Sequence, residues 1–453
     1  MTNWFSLCVI ILLVDWMCNK ARGHKMNKMK QVLTLLAGLA ILVTIPANLF
    51  AQEGTHPVYE ISKAFAKVVP NYASQKKMYN KILDKQKKLL FTLSEDRNML
   101  CSKQILNEAT WLLHNTADFD KIKLKLEKLV YGVSLAESGD AKSEEFELLG
   151  AGQSPTDGSW GGCYDEWFWK LVESQEQINY LTENDKSPDY PTTFLDKINT
   201  PDKLLAYLNS LLITDIENEK ISKRRELNES FSAIIRLVLR KQPKTYVYDA
   251  ELADVLIKFS DDKWQNQDTG FWGGWFKEGD KIIKTDDLSI TFHMVNYRKG
   301  DVKLLKKIAK TTLEIKNKPY PYGWYNGDGT RSNHHHMDVV KLLRYTWKEL
   351  DDGDRTKAVA EIQEMLDWCL KKSLTKEGFF RYSDDDDSLE DSYEFGTSFL
   401  KGIGFFDKSK RFWTDKDFPE AKAIGLKIIA NMKSLKNKSS RMQETISELE
   451  NEL

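Results

Sequence analysis

Four times in the second half of the chain a glycine is followed by bulky aromatics and a polar turn, and then by an apolar helical stretch. The copies are Gly158-Ser159-Trp160-Gly161-Gly162, Gly270-Phe271-Trp272-Gly273-Gly274-Trp275, Gly323-Trp324-Tyr325 and Gly378-Phe379-Phe380. Their lead glycines stand 112, 53 and 55 residues apart. The first interval is about double the others, which predicts a degenerate copy near residue 214. Self-similarity at this period marks an array of one supersecondary unit. Each unit has room for two helices and a loop. The expected fold is all-α, an α/α toroid of repeated helix pairs whose loops at one rim surround a cavity.

The first fifty residues read as export rather than fold. Met29-Lys30 precedes the apolar run Val32 to Phe50, and a small residue, Ala51, ends it. That anatomy predicts a secretory signal cleaved after Ala51, hence a periplasmic or secreted protein. The apolar segment Trp4 to Cys18 lies upstream of alternative starts at Met26 or Met29 and reads as an over-extended gene start. The expected organisation is residues 1–51 as upstream segment and signal, 52–150 as a helical N-terminal extension, 151–415 as the repeats, and 416–453 as a C-terminal helix and charged tail. Periodicity places helices through residues 57–135, at Asp202 to Leu212 and at Glu226 to Leu239. Glu137 to Ser159 reads as a loop, and the helix Met442 to Leu453 as loosely packed. β-Branched alternating runs are scarce.

The chain has 66 basic and 67 acidic residues, and removing residues 1–51 leaves it modestly acidic. This argues against nucleic acid as a partner, because phosphate binding needs a basic face. No later segment is apolar enough for a stable membrane span. Cys101, Cys163 and Cys369 are odd in number and widely spaced, which predicts neither a disulfide framework nor a metal site. No cofactor is expected.

Asp157 to Gly162 and the Gly270 copy resemble the glycine–aromatic repeats of the terpenoid cyclase and prenyltransferase toroid superfamily. Ser332-Asn333-His334-His335-His336-Met337-Asp338-Val339-Val340 resembles the Asn-Asn-His signature of secreted α/α-toroid polysaccharide lyases, including alginate lyases. The two resemblances imply an exported toroid acting on an acidic glycan by β-elimination.

The residues suggest how that chemistry could be carried. Asp338 lies four residues after His334 and could orient it as a base. Arg331 and Asn333 would neutralise a substrate carboxylate, and Tyr325 would serve as the acid. Trp160, Trp272, Trp275 and Trp324 fall in the glycine–aromatic loops, where they either cap the core or form platforms for sugar rings. His293 faces either a wall or the cavity. Arg225, in the cluster Arg224 to Glu229, makes either surface ion pairs or carboxylate contacts. Asp287 and Asp391 stand at comparable places in their repeats, so a hydrolase with paired carboxylates is an alternative. Asp384 to Asp387 reads as a solvated or calcium-attracting loop. A non-catalytic toroid binding a glycan or lipid is the reading from another class. The expected partner is a polysaccharide or oligosaccharide ligand.

Overall fold

Helices dominate because apolar residues recur at three- and four-residue steps through most of the chain. The computed structural model describes residues 56–94, 96–239, 249–381, 389–436, 438 and 440–453. The signal segment and Asp384 to Asp387 lie outside these. In chain order the α-helices are α1 (Ile61–Val68), α2 (Tyr72–Ser94), α3 (Leu100–Asn115), α4 (Phe119–Ser138), α5 (Lys142–Leu148), α6 (Trp167–Glu183), α7 (Pro201–Leu212), α8 (Ile216–Glu219), α9 (Arg224–Val238), α10 (Leu252–Lys258), α11 (Leu288–Tyr297), α12 (Leu305–Glu314), α13 (Asn333–Thr346), α14 (Asp352–Trp368), α15 (Leu389–Gly402), α16 (Ala421–Ser434) and α17 (Ser440–Glu452). The all-α expectation therefore holds. The helix α5 falls inside the stretch expected to be loop.

Two interleaved series organise the repeats. Helices α6, α9, α11, α13, α15 and α17 pack each on the next. The intervening helices lie against them: α7 and α10 on α9, α12 and α14 on α13, and α16 on α17. Near residue 214, where the interval predicts a degenerate copy, α7 and α9 are joined through Ile213, Thr214 and α8 without a glycine turn.

The glycine–aromatic turns share one hydrogen-bond plan, which explains the sequence repeat. Gly158 N–H donates to Ser154 O while Ser154 N–H donates to Ser159 O; Gly270 and Asn266 repeat this with Asn266 and Phe271, and Gly378 and Thr375 with Thr375 and Phe379. These glycines have φ of 72°, 76° and 95°, a region where a Cβ is unfavourable. Gly323 differs. Its φ is not positive, but a Cβ there would meet Lys318 O at 2.2 Å and Ile315 O at 2.5 Å. Its role is close approach of two backbones. The indoles repeat as well: Trp272 Nε1 donates to Ser260 O and Trp324 Nε1 to Thr312 O, each at 2.9 Å and each twelve residues back. The turns at Gly158, Gly270, Gly323 and Gly378 precede α6, α11, α13 and α15 respectively.

Three features depart from expectation. First, a three-stranded sheet pairs β1 (Ile213–Thr214) parallel to β2 (Trp275–Glu278), which pairs antiparallel with β3 (Lys281–Lys284). Gly279, at φ 57°, makes the tight β2–β3 turn. Second, Cys101 and Cys163 form a disulfide across 62 residues, and Cys369 is free and buried. Wide spacing in sequence was a poor guide, because α3 and the start of α6 share one core. Third, α17 is well packed: Met442, Ile446 and Leu449 are buried, and Lys410 and Lys433 bridge to Glu452 and Glu450 at 2.6 and 2.5 Å.

His56–Leu453 forms one compact unit, and residue 150 marks no break in it. A core of N-terminal helices takes in Cys163, Phe168, Trp169, Ile216 and Phe276 from the repeats. Glu108, fully buried on α3, accepts the backbone N–H groups of Asp165 and Glu166 at the start of α6. A carboxylate is favoured there by the helix dipole and by the unpaired amides of the first turn.

Candidate functional site

Along the first helix series most positions are buried, yet α9, α11, α13 and α15 each keep a stripe of half-exposed side chains at helical spacing. The stripes are Glu229 and Arg236 on α9, beside the exposed Arg225, His293, Asn296 and Tyr297 on α11, His334, Lys341 and Tyr345 on α13, and Glu394, Phe395 and Ser398 on α15. Neighbouring helices touch through these side chains: Arg236 lies over Tyr297, and His334 stacks on Phe395.

The most ordered chemistry in these stripes centres on His293. Its Nδ1 lies 2.8 Å from Asn228 Oδ1. The Asn228 amide nitrogen donates to Ser289 Oγ at 3.4 Å, so its oxygen is turned to the ring. His293 Nδ1 is then the protonated nitrogen, and Nε2 carries the lone pair. Burial first, and then Arg236, His334, Arg225 and Arg224, hold the imidazole pKa well below its usual value. The ring is neutral at physiological pH. Tyr297, one turn on, stacks on it at 5.4 Å and 12°. The Arg236 guanidinium lies over the Tyr297 ring at 4.9 Å. Burial raises the Tyr297 hydroxyl pKa, so it keeps its proton.

A second cluster lies deeper. Asp338 is fully buried and accepts the Tyr320 hydroxyl at 3.0 Å, while its Oδ1 has no hydrogen-bond partner. Burial holds this carboxyl well above the usual carboxylate range. Tyr320 stacks on His335 at 3.8 Å. Beside them Arg224 grips Asp287, with Nη2 2.9 Å from Oδ1 and Nε bonded to Oδ2. Glu173, on α6, has its pKa pushed up to about 7 by burial and by the neighbouring Glu176.

The residues singled out in the sequence are dispersed. His334 lies in the α13 stripe, stacked on Phe395 at 4.3 Å. Asp338 takes Tyr320 as its hydrogen-bond partner. Asn333 points the other way, donating to Ser373 Oγ at 2.7 Å at the end of the α14 segment. His336 shares that face, edge-on to Trp368, and burial lowers its pKa to about 3. Arg331 bridges to Glu364 at 2.7 Å and lies 3.5 Å from the Tyr325 hydroxyl. Asn333 thus has Ser373 as a partner, Tyr325 has Arg331, and His334 has Phe395.

The other candidates have structural partners. Asp287 caps α11, accepting from Ile290 N–H, in addition to holding Arg224. Asp391 is bound by Arg441 at 2.9 Å. Trp160, Trp272 and Trp324 are buried in the core. Trp275 is half-buried under the Lys284 ammonium at 4.1 Å. Arg225 pairs with Glu229 at 2.7 Å and lies over the Trp169 ring at 5.8 Å.

Sequence reasoning missed Asn228, Tyr297, Arg236, Tyr320, Lys341 and Glu173. Asn228 was within reach, since it lies in the polar cluster that opens α9. The others become visible only once the helix faces are known. Among the described residues no group of three or more His, Cys, Asp or Glu could hold a metal ion, and no helix is long and apolar enough to cross a membrane. No protein-family model, curated protein or solved structure matches the chain.

Proposed function

We propose that this chain is an exported α/α toroid whose interior cleaves an acidic polysaccharide by β-elimination. The observation that carries the reading is a neutral His293 with its tautomer set by Asn228, flanked by Tyr297 and the guanidinium of Arg236. This replaces the expected use of Asn333, His334 and Tyr325. In it, His293 Nε2 takes the proton from the carbon next to the uronate carboxylate. The C4–O bond then breaks, a C4–C5 double bond forms, and the Tyr297 hydroxyl gives its proton to the departing oxygen. Arg236 and Arg225 neutralise the carboxylate, which acidifies the carbon being deprotonated. The first helix series, which packs consecutively from α6 to α17, supplies the lining of the proposed ring, with the glycine–aromatic turns at one rim. The Cys101–Cys163 disulfide suits an oxidising compartment and supports export.

The paired-carboxylate hydrolase is less well supported. Asp287 is committed to Arg224 and to its helix cap, and Asp391 to Arg441. The test is incubation with polyuronates while following the ultraviolet absorbance of an unsaturated uronate. His293→Ala and Tyr297→Phe are each expected to slow the reaction about 10²–10⁴-fold. A His293→Ala variant with the full rate, or wild-type protein that releases no unsaturated product from any uronate polymer, would sink the reading.

A further inference from the structure

A cavity of about 640 Å³ opens among α11, α13, α15 and α17, lined in part by Asn296, Lys341, Tyr345, Ser398, Arg441 and Thr445. This volume is in the range that encloses a small ligand. The basic side chains around it are nearly all committed. Arg344 donates to the Gly402 and Lys410 carbonyls. Lys401 pairs with Glu448, Lys410 with Glu452, and Arg441 with Asp391 and Glu394. Among the described residues Lys341 is the one basic group of this lining with neither an ion pair nor a hydrogen bond. Its ammonium lies over the Phe292 ring at 5.5 Å, and Asp338, one turn earlier, forms no ion pair with it. Asp338 and Glu448 act on this part-buried cation only from beyond ion-pair distance, and a cation so placed is costly unless a ligand supplies a closer anion.

We infer that Lys341 receives the carboxylate of an anionic sugar in this cavity, so that the occupant is a sugar acid rather than a neutral sugar. Asn296 and Ser398 offer neutral hydrogen-bonding groups to its hydroxyls. The cavity is lined in part by α11, which also carries His293, so the inference rests on the proposed glycan reading and extends it to a second, non-reacting sugar unit. Burial lowers the Lys341 pKa, and a bound carboxylate would favour the charged form.

Calorimetry with sodium glucuronate, and with glucose as its neutral counterpart, tests this on the full chain. Wild-type protein is expected to bind glucuronate at least tenfold more tightly than glucose. Lys341→Met should erase that preference, and Lys341→Arg should keep most of it. The ligand-free melting temperature of Lys341→Met should equal or exceed that of wild type, because a buried unpaired charge is gone. If Lys341→Met does not fold, Asn296→Asp decides: an added anion in the same lining should cut glucuronate affinity tenfold or more, and unchanged affinity overturns the inference. It is also overturned if wild-type protein shows no preference, or if Lys341→Met keeps it. A Lys341-dependent preference without polyuronate turnover would leave the anion site standing and remove the lyase. Turnover with an unchanged KM in Lys341→Met would do the reverse.

Discussion

Asp287 and Arg224 are joined by two hydrogen bonds between the first turn of α9 and the cap of α11. The same carboxylate accepts from Ile290 N–H at 2.9 Å, so one side chain fixes both the start of α11 and its seat against α9. Asp287→Ala is expected to cost about 3–5 kcal/mol, because it strands a buried guanidinium. Asp287→Asn keeps the cap and should cost less. Urea unfolding of the two variants checks the order.

The Cys101–Cys163 bond ties α3 to the segment that leads into α6. Replacing either cysteine with serine should cost about 2–4 kcal/mol through the freed unfolded chain. A melting temperature unchanged by the substitution, or by dithiothreitol, would contradict this.

Glu173 gives stability a pH dependence with a defined sign. Its native pKa is raised from 4.5 to about 7. Between those values the folded protein holds a proton that the unfolded chain has released, so stability falls as pH rises. The contribution is fully present below pH 4.5 and lost as pH passes about 7. Glu173→Gln should therefore raise stability by about 1–3 kcal/mol at alkaline pH and have little effect in acid. Thermal melts on both sides of the window decide it.

Gly270 and Gly323 should both resist substitution, for different reasons. Gly270→Ala forces a side chain into a left-handed φ of 76°, while Gly323→Ala drives a Cβ into two carbonyl oxygens. Each should cost about 1 kcal/mol or more, with Gly323 the worse because backbone must move. Equal stability of Gly323→Ala and wild type would refute the close-approach argument.

Much of the helical framework was legible because burial imposes a period that residues such as Leu204, Leu208, Leu211 and Leu212 repeat faithfully. Asp287 and Ser332 cap α11 and α13, and both are residue types that local chemistry favours at a helix start. The site was less so. Asn333, His334 and His336 are neighbours in sequence, yet the helix sends His334 to one face and Asn333 and His336 to another, and only their packing partners tell the faces apart. Asn228 and His293 are 65 residues apart and meet only because α9 packs on α11. The β2–β3 hairpin was overlooked because its signal is only Glu278-Gly279-Asp280-Lys281, between two short runs.

At the other end of the described chain, His56 Nδ1 lies 2.7 Å from Asp286 Oδ2, and Nε2 lies 3.2 Å from Glu314. Three residues on, Tyr59 stacks face to face on Phe276. The His56 partners are 230 and 258 residues downstream. A chain made from its N-terminus delivers this strap well before its anchors. Until Asp286 and Glu314 are in place, His56 lacks both of its partners. The strap's resistance to cleavage is thus a readout of how far assembly has gone, and a time-resolved digest during refolding should find this segment among the last to become protected.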